Sequence, residues 1–546
     1  MAKRNERCDW NSAGRAVIEG YTSEGAGVAH LDGRAVFVPG GVRGDDCEIR
    51  VVNTRSRFAW GKMENLYTPS PYRIAPDCRA FPDCGGCALR HLTYEEELWF
   101  KKNHVLETMR RIGGAEPVFD GIVGAEETTG YRNKAQYPVR FQKGKLVAGF
   151  YRGGTHEVVP CGACRIESAA SRAVLKAVLG YMRRFRVPAY DESSGRGVIR
   201  HVYVRTSRSG EVLACIVAAK RTLPSEEALM SLLRSADPGV AGVLLNVNTR
   251  RDNVILSDET RTIWGRDNIT ETLLGYRFRL SVDSFFQVNP VQTEKLYAVA
   301  AAYLGDGVNE LLDLYCGVGS IGICLSGKAH RLTGVEIVAR AVRDAEANAR
   351  ANGLENARFF AADAGTAAAK LAAEGYRPDA IVVDPPRKGL DAVCIQAIAR
   401  MAPEKLIYIS CNPSTQARDV ALLREYGYEA VRMTAVDLFP RTYHVETVCL
   451  LSKLKSTQHI EVELDMGELD LTAAEKKATY QEIKDYVSEH TGLKVSSLYI
   501  AQVKQKCGII ERENYNKPKS EDAKQPQCPP EKEEAIKEAL RHFGMI

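Results

Sequence analysis

The sequence predicts a multidomain α/β protein built from four segments. Residues 11–68 alternate apolar and polar positions between glycine-rich turns, a pattern typical of a small β-barrel. From Pro290 onward, short apolar runs each precede a helical stretch, which is typical of a doubly wound parallel sheet. We therefore expect an N-terminal small β-barrel, a mixed, mostly-β central domain with a cysteine cluster, a Rossmann-like domain and a helical C-terminal extension. The expected boundaries are 10–68, 69–289, 290–456 and 457–546.

The first two segments read mostly as strands. In the first, AVIEGY, RAVFVPG, CEIRVVN and FAWGKMENLY fit strands of a barrel of the oligonucleotide-binding type, although any small antiparallel domain would share the pattern. In the second, a helix is expected from Tyr94 to Ile112, and one further helix, near 168–186, interrupts a series of strands.

The last ninety residues have helical patterns. Thr472 with Glu475 fits a capping box that opens a helix, and a second helix follows the turn at Gly492. Two helices around a glycine turn are compatible with a helix-turn-helix. The segment is net acidic, so a structural or protein-contact role is an equal alternative.

Composition and charge favour a folded, non-membrane protein with a polyanionic partner. With 45% hydrophobic and 26% charged residues, the 546-residue chain is expected to fold, and no apolar run is long enough for a membrane span. The polar first residues lack the apolar core of a secretion signal, so we expect a cytoplasmic protein. The net charge is +5, and residues 71–290 carry 32 basic and 24 acidic side chains, which favours a polyanionic partner there.

A ligand site is predicted at the ends of the parallel strands. Gly317 and Gly319 in DLYCGVGSIG would let the backbone approach a ligand beside a helix N-terminus. Glu336, Asp363 and Asp384 end the next three strands along the chain, where a carboxylate accepts ribose hydroxyls or meets an adenine edge. This set suits S-adenosylmethionine better than NAD, because the third glycine of the dinucleotide fingerprint is missing. The alternative is a generic α/β domain whose carboxylates cap helices.

A candidate nucleophile and base follow. Cys411 ends a predicted strand and precedes an Asn-Pro turn that would leave its thiol at the mouth of the site, where a lowered pKa makes a cysteine nucleophilic. Glu446 opens the last strand, and His444 beside it is a second candidate base.

Three cysteines stand as C-x5-C-G-G-C, namely Cys78, Cys84 and Cys87. With a distant fourth cysteine they would form a thiolate tetrad suited to zinc or to an iron–sulfur cluster. From the spacing alone, structural zinc is the default expectation.

Taken together, five motifs resemble the RNA uracil-5-methyltransferase family in order and spacing. They are SFFQVNP, DLYCGVGSIG, VDPPRKG, ISCNPSTQARD and YHVETVCLLSKL. The resemblance covers roughly residues 10–456. It implies that the Cys411 thiolate adds to carbon 6 of a flipped-out uracil, that carbon 5 takes the methyl group of S-adenosylmethionine, and that Glu446 removes the carbon 5 proton.

The resemblance also implies which residues contact the methyl donor and the base. The donor contacts are Gln287, Tyr315, Glu336 and Asp384, with Ser320 and Asp363 as further candidates. Phe285 or Phe286 is expected to pack against the target base, although either residue could equally belong to the core.

For the cysteines, the resemblance implies a [4Fe–4S] cluster held by Cys78, Cys84, Cys87 and a later cysteine. In CGACRIE we choose Cys164 over Cys161, because the family's later cysteine precedes an apolar residue and then Gln, a pattern that C-R-I-E matches better. The N-terminal segment resembles the TRAM barrel, an RNA-binding module. A TRAM barrel plus a cysteine cluster implies the 23S ribosomal RNA branch of the family, hence 23S ribosomal RNA as partner, with neither DNA nor a membrane, and a monomer.

Three alternatives remain at this point. The same chemistry could act on transfer RNA, the chain could be a non-catalytic RNA-binding or ribosome-assembly protein, or it could be an iron–sulfur radical methyltransferase. The aromatic residues interleaved in the basic central stretches are expected to stack on unpaired bases; they are Tyr131, Tyr137, Phe141 and Tyr203.

Overall fold

The computed structural model describes residues 13–454, 480–493, 495–507 and 528–543. These residues fall into two compact units, one within residues 1–455 and the other within residues 456–546. The first unit contains three sheets of six, seven and eight strands and a separate hairpin, and the second consists of helices. The predicted fold class is confirmed.

Six strands form the N-terminal sheet, in the order β1-β5-β6-β4-β3-β2. Alternate side chains such as Val36, Val38, Ile49 and Val51 are buried on its inner face, as the alternating sequence pattern predicts. The strands are β1 (Ala13–Val17), β2 (Gly20–Tyr21), β3 (Gly27–Leu31), β4 (Arg34–Val38), β5 (Asp46–Thr54) and β6 (Phe58–Thr68).

A helix and seven strands follow. The helix α1 (Tyr94–Thr108) is capped by the Thr93 side chain and continues as a π-helical turn, Met109–Gly113. The central sheet has the order β10-β9-β8-β11-β12-β13-β14. Its strands are β8 (Lys134–Gln142), β9 (Lys145–Tyr151), β10 (Val158–Pro160), β11 (Ile199–Thr206), β12 (Val212–Ala218), β13 (Val240–Val247) and β14 (Thr260–Gly265).

Two helices pack in this region, α2 (Ala169–Arg184) and α3 (Glu226–Ala236). The sequence analysis predicts α2 but not α3, so the expectation of one helix among these strands is wrong. Strands β12 and β13 pair in parallel, and a parallel pair needs a crossover connection, which α3 provides.

The C-terminal sheet has the order β19-β18-β17-β20-β21-β23-β22-β7, with a parallel core from β19 to β21. Its strands are β7 (Val118–Val123), β17 (Val308–Leu314), β18 (Ala329–Glu336), β19 (Ala357–Ala361), β20 (Ala380–Val383), β21 (Lys405–Ser410), β22 (Tyr428–Val436) and β23 (Glu446–Lys453). Helices α4 (Pro290–Leu304), α5 (Ser320–Leu325), α6 (Ala339–Ala351), α7 (Ala364–Ala373), α8 (Ala392–Met401) and α9 (Pro413–Glu425) connect them. The strand order reverses between β17 and β20, where ligands bind in doubly wound sheets.

Two elements join the central segment to this sheet. Strand β7 pairs in parallel with β22 at the sheet edge. The hairpin of β15 (Asn268–Leu273) and β16 (Tyr276–Ser281) contributes Ile269 and Phe278 to the hydrophobic core shared with α4 and α5. The residues between the hairpin and α4 therefore lie next to the carboxyl ends of the parallel strands, where Gln287 approaches Asp384.

The second unit contains α10 (Tyr480–Thr491), α11 (Ser497–Lys506) and α12 (Pro530–His542), which share a core that includes Ile483, Ile500 and Ile536. The predicted capping box at Thr472 and Glu475 lies outside the described residues. In the part of the chain that the structure describes, no helix has the length and apolar character of a membrane span.

A buried ion cluster joins α1 to the loop that precedes β23. Lys101 is fully buried and its Nζ lies 2.7 Å from Glu97 Oε1 and 2.6 Å from Asp437 Oδ1. Removal of one partner from a buried ion pair leaves uncompensated charge. We expect Lys101→Met to lower the free energy of unfolding of the first unit by about 3–5 kcal/mol, measured by urea denaturation of the full chain. The exposed neighbour Lys102→Met is the control, and equal unfolding midpoints for the two variants would contradict the prediction.

Candidate active site

The loop after β17 has the backbone geometry of a ligand cradle. Tyr315, Gly317 and Gly319 all have positive φ angles, of 68°, 56° and 80°, and α5 begins at Ser320 directly after them. Positive φ is uncommon for a residue with a side chain, so the fold holds the Tyr315 backbone in an unfavourable conformation at this turn. A Cβ atom added at Gly317 would meet no atom within 4 Å, so the backbone is open to a ligand there.

Glu336, at the end of β18, is fixed beside this loop. Its Oε2 accepts a hydrogen bond from the Gly317 N–H at 3.1 Å, and its Oε1 accepts one from the Val338 N–H at 2.9 Å. The carboxylate is thereby oriented while each oxygen keeps a further lone pair for a hydroxyl donor.

The other two carboxylates differ in their surroundings. Asp363 caps α7 by accepting from the Thr366 N–H, a bond that lowers the pKa of Asp363, and its side chain is largely in water. Asp384 follows β20 and is half-buried, and desolvation of its carboxyl group raises its pKa to about 7. Gln287 Nε2 lies 3.5 Å from Asp384 Oδ2.

The side chains of Tyr315 and Ser320 contact other side chains of the same domain. The Tyr315 hydroxyl lies against the Cys394 thiol, and the Ser320 Oγ lies 3.0 Å from the Tyr297 hydroxyl. The structure thus brings Gln287 and Asp384 together, and it brings Gly317 and Glu336 together, while Asp363 stands at the start of α7.

Cys411 lies directly after β21 in a cavity of about 230 Å³. Asn412 begins α9 as its capping residue by accepting from the Ser414 N–H at 3.1 Å, so the chain turns sharply at the cysteine. The lowered pKa expected for Cys411 is not found: burial first, and then Glu446 and Asp384, raise the pKa of the thiol to about 11, while Arg387 opposes them. The thiol is therefore half-buried beside two carboxyl groups and one guanidinium group.

Glu446 is the first residue of β23 and is buried, with 2% of its surface exposed. Its Oε2 has no hydrogen-bond partner among the described residues. Burial raises the pKa of Glu446 well above its usual range, and Asp384 adds to this, while Arg387 opposes it. A buried carboxyl oxygen without a partner is uncommon, and it suits a group whose partner is a substrate.

His444 has a different environment from Glu446. Its Nε2 lies 3.1 Å from the Arg387 guanidinium, from which it accepts a hydrogen bond. Burial, together with the nearby Arg387, lowers the pKa of His444 to about 4, so the ring is neutral at pH 7. Because its lone pair is engaged by Arg387, His444 is less suited than Glu446 to accept a substrate proton.

Sequence analysis missed three contributors to this cavity. Arg387 lies within the motif VDPPRKG. Its positive charge could have nominated it, because a cation beside a cysteine lowers the pKa of the thiol. Glu24, in the turn between β2 and β3, and His104, on α1, also line the cavity. No sequence pattern relates these two residues to Cys411, because only the folded chain brings them together.

The two phenylalanines of SFFQVNP have separate places. Phe286 is buried and packs on Phe278, with ring centroids 5.9 Å apart. Phe285 is 65% exposed, and the Lys134 Nζ lies 5.9 Å from its ring centroid. Phe285 alone of the two is accessible to a ligand.

The expected base-stacking role of Tyr131, Tyr137 and Tyr203 is wrong. All three side chains are buried in hydrophobic cores, because they occupy inward-facing positions at or near β8 and β11. Phe141, which was predicted with them, is 67% exposed.

Five cysteines line a second cavity of about 230 Å³; they are Cys78, Cys84, Cys87, Cys161 and Cys164. Cys161 hydrogen-bonds to the thiols of both Cys84 and Cys164, and these bonds lower the pKa values of Cys84 and Cys164. Among the described residues, no three His, Cys, Asp or Glu side chains are arranged to hold a single metal ion. A four-iron cluster is several atoms wide, so its thiolates surround a cavity rather than meet at one point.

Known proteins resemble this chain over most of its length. Family models described as "tRNA (Uracil-5-)-methyltransferase" and "TRAM domain" match residues 244–454 and 14–63. A Clostridium tetani protein named "Uncharacterized RNA methyltransferase" is 37% identical over 446 residues, which are 81% of this chain and 96% of that protein. A Bacillus cereus protein with the same name is 39% identical over 442 residues, 80% of this chain and 96% of its own.

A solved structure has a similar fold. The Pyrococcus abyssi tRNA (uracil-54, C5)-methyltransferase, in complex with S-adenosyl-L-homocysteine, superimposes with a TM-score of 0.66 at 26% sequence identity. The match covers 80% of this chain and 100% of that chain.

Proposed function

The chain belongs to the S-adenosylmethionine-dependent RNA uracil-5-methyltransferase family, and we propose that it methylates carbon 5 of a uridine in 23S ribosomal RNA through a covalent adduct at Cys411. The observation that carries the mechanism is the convergence of Cys411, Glu446 and Arg387 at the carboxyl ends of β20, β21 and the start of β23. The TRAM domain and the cysteine-lined cavity support the ribosomal substrate.

Cys411 acts as the nucleophile. Its thiolate adds to carbon 6 of the flipped-out uracil, and the electron pair of the 5,6 double bond moves toward the carbon 4 carbonyl. Carbon 5 thereby becomes nucleophilic. Arg387, the cation beside the thiol, stabilises the thiolate form before addition.

S-adenosylmethionine supplies an electrophilic methyl group when it is bound. We propose that Glu336 accepts hydrogen bonds from its ribose, beside the open backbone at Gly317, and that Gln287, Tyr315, Ser320, Asp363 and Asp384 complete the donor site. Glu446, through its unpartnered Oε2, then accepts the proton of carbon 5. The double bond forms again, and the Cys411 thiolate leaves.

The role of Arg387 is testable through the pH dependence of the reaction. In Arg387→Met the pKa of Cys411 rises, because the one group that lowers it is lost. The thiolate is the active form, so kcat/KM at pH 7 should fall about tenfold for each unit of pKa rise, and the rising limb of the pH profile should move to higher pH.

Lys388→Met is the matched control, since Lys388 is the exposed neighbour of Arg387. A pH profile of Arg387→Met that coincides with that of Lys388→Met would contradict the assignment.

Phe285 is proposed as a stacking surface for RNA. Phe285→Ala should weaken binding of substrate RNA by about 1–3 kcal/mol, the range for loss of one base–aromatic stack, without change in the affinity for S-adenosylmethionine. Phe286→Ala, in the core, should instead lower stability by about 3–5 kcal/mol. Filter binding measures the loss of RNA affinity and thermal melting measures the loss of stability. Unchanged RNA affinity in Phe285→Ala would exclude the stacking role.

We further propose that Cys78, Cys84, Cys87 and Cys164 bind a [4Fe–4S] cluster, with Cys161 as the alternative fourth ligand. The support is the set of thiols that lines one cavity, in a segment with little regular structure between β6 and α1. Structural zinc is the competing occupant. Iron, acid-labile sulfide and zinc analysis of anaerobically purified protein distinguishes the two, and zinc without sulfide would exclude the cluster.

The substrate is tested with labelled S-adenosylmethionine and unmodified 23S ribosomal RNA or transfer RNA, followed by nucleoside analysis. Labelled 5-methyluridine in the 23S sample alone is the expected result. Label in transfer RNA alone would be consistent with the proposed reaction but would exclude 23S ribosomal RNA as the substrate. A transfer RNA substrate has support of its own, because the Pyrococcus abyssi protein is a tRNA methyltransferase. Absence of label in both RNAs would favour a non-catalytic RNA-binding protein.

A further inference from the structure

One arginine lies buried among the cysteines of the second cavity. Arg90 follows the C-G-G-C sequence by three residues, and only 2% of its side chain is exposed. Its Nη1 donates to Asp77, which also accepts from the Arg165 Nε at 3.1 Å. Asp77 thus holds one edge of the guanidinium group and fixes its orientation.

The Arg90 guanidinium group also lies against the Cys87 thiol and lines the cavity. Burial lowers the pKa of Arg90, but the neighbouring Cys87 thiol and Asp77 raise it above its ordinary value. Arg90 Nη2 is buried and makes no hydrogen bond to any residue that the structure describes. A buried guanidinium nitrogen without an acceptor is costly, so the geometry indicates that an anion in the cavity accepts from it.

The other cations at this cavity have different partners. Arg132 pairs with Glu167 at 3.4 Å, Lys134 lies over the Phe285 ring, and Arg165 is half-exposed beside Asp77. Among the described cations that line the cavity, Arg90 therefore combines full burial, contact with a cysteine and an unused donor.

We propose that Arg90 is a positioning residue for the iron–sulfur cluster, donating from Nη2 to the cluster or to the Cys87 thiolate and raising the cluster's reduction potential. This inference rests on the [4Fe–4S] assignment proposed above. Four thiolates give such a cluster net negative charge, and reduction adds one more electron. A fixed cation and a hydrogen bond to sulfur stabilise the reduced form more than the oxidised form, so their removal makes reduction harder.

The test compares full-length, anaerobically purified variants by iron and sulfide content and by a redox titration of the cluster. Arg90→Gln, which loses the charge, should shift the midpoint potential to a more negative value. Arg90→Lys, which keeps the charge without the planar pair of donors, should give an intermediate value. Arg152→Gln is the control, because it removes one positive charge from the surface pair with Asp83, close in space to Cys84, and should leave the potential unchanged.

The outcomes separate this inference from the assignment on which it rests. Wild-type protein without iron and sulfide overturns both. A wild-type potential in a cluster-loaded Arg90→Gln variant, or the same shift in Arg152→Gln, overturns the inference alone. If Arg90→Gln does not retain its cluster, Arg90→Lys decides: a loaded cluster at a more negative potential supports the inference, whereas a cluster-free protein or an unchanged potential overturns it.

Discussion

Cys411→Ala should abolish methyl transfer to RNA while leaving the affinity for S-adenosylmethionine unchanged. Without the thiolate, carbon 5 of uracil is not activated, and the loss of a covalent nucleophile costs roughly 10⁴-fold or more in kcat. The affinity for the methyl donor is retained because the Gly317 backbone and the Glu336 carboxylate lie at the ends of other strands, β17 and β18. Labelled methyl transfer and equilibrium dialysis measure the two quantities.

The control for this prediction is a different cysteine of the same sheet. Cys449 lies on β23, three residues after Glu446, and is completely buried. Cys449→Ala should retain methyl transfer, although removal of the buried sulfur lowers stability. Activity in Cys411→Ala comparable to that in Cys449→Ala would remove Cys411 from the reaction.

Glu446→Gln should accumulate a covalent protein–RNA adduct. The amide cannot accept the carbon 5 proton, so addition and methyl transfer proceed but elimination stalls, and turnover should fall by about 10²–10⁴-fold, the usual contribution of a general base. Glutamine has nearly the same shape as glutamate, so replacing the buried carboxyl group with an amide should preserve the fold. The adduct is detected as an RNA-bearing band on a denaturing gel.

Two further variants decide which base acts. His444→Gln should turn over without an accumulated adduct, because His444 is engaged by Arg387. The double variant Cys411→Ala, Glu446→Gln should give no adduct, because it lacks the nucleophile. A stalled adduct in His444→Gln rather than in Glu446→Gln would assign the base role to His444.

The inner parallel strands of the catalytic domain could be predicted from sequence because β20 and β21 are buried on both faces, whereas the outer strands β18 and β19 are partly exposed. Residues such as Val383 and Ile407 lie in apolar runs. The run of β20 ends at Asp384 and that of β21 ends at Ser410 and Cys411, at the carboxyl edge of the sheet. Helix α3 was missed because its segment carries no capping box, although its buried Leu229 and Leu233 recur at helical spacing. Its existence follows from the parallel pairing of β12 and β13, which is a tertiary property.

The site itself was only partly predictable. Motif residues such as Gln287, Asp384 and Glu446 could be nominated one at a time, but their common surroundings depend on the fold. The choice between Phe285 and Phe286 depends on which ring packs against Phe278, and no local pattern contains that information. The prediction for the tyrosines of the basic stretches failed because β11, which carries Tyr203, is buried on both faces, and Tyr131 and Tyr137 lie in hydrophobic cores.

The most direct test of the central claim is to locate the covalent bond. RNA in which 5-fluorouridine replaces uridine should trap wild-type protein after methyl transfer, because Glu446 can accept a proton from carbon 5 but cannot remove fluorine as a cation. Digestion and mass spectrometry should then find the modified nucleotide on the peptide that contains Cys411, and on none from Cys411→Ala. Attachment at a different cysteine, or efficient methylation of ordinary RNA with no trapped peptide from the fluorinated RNA, would contradict the mechanism.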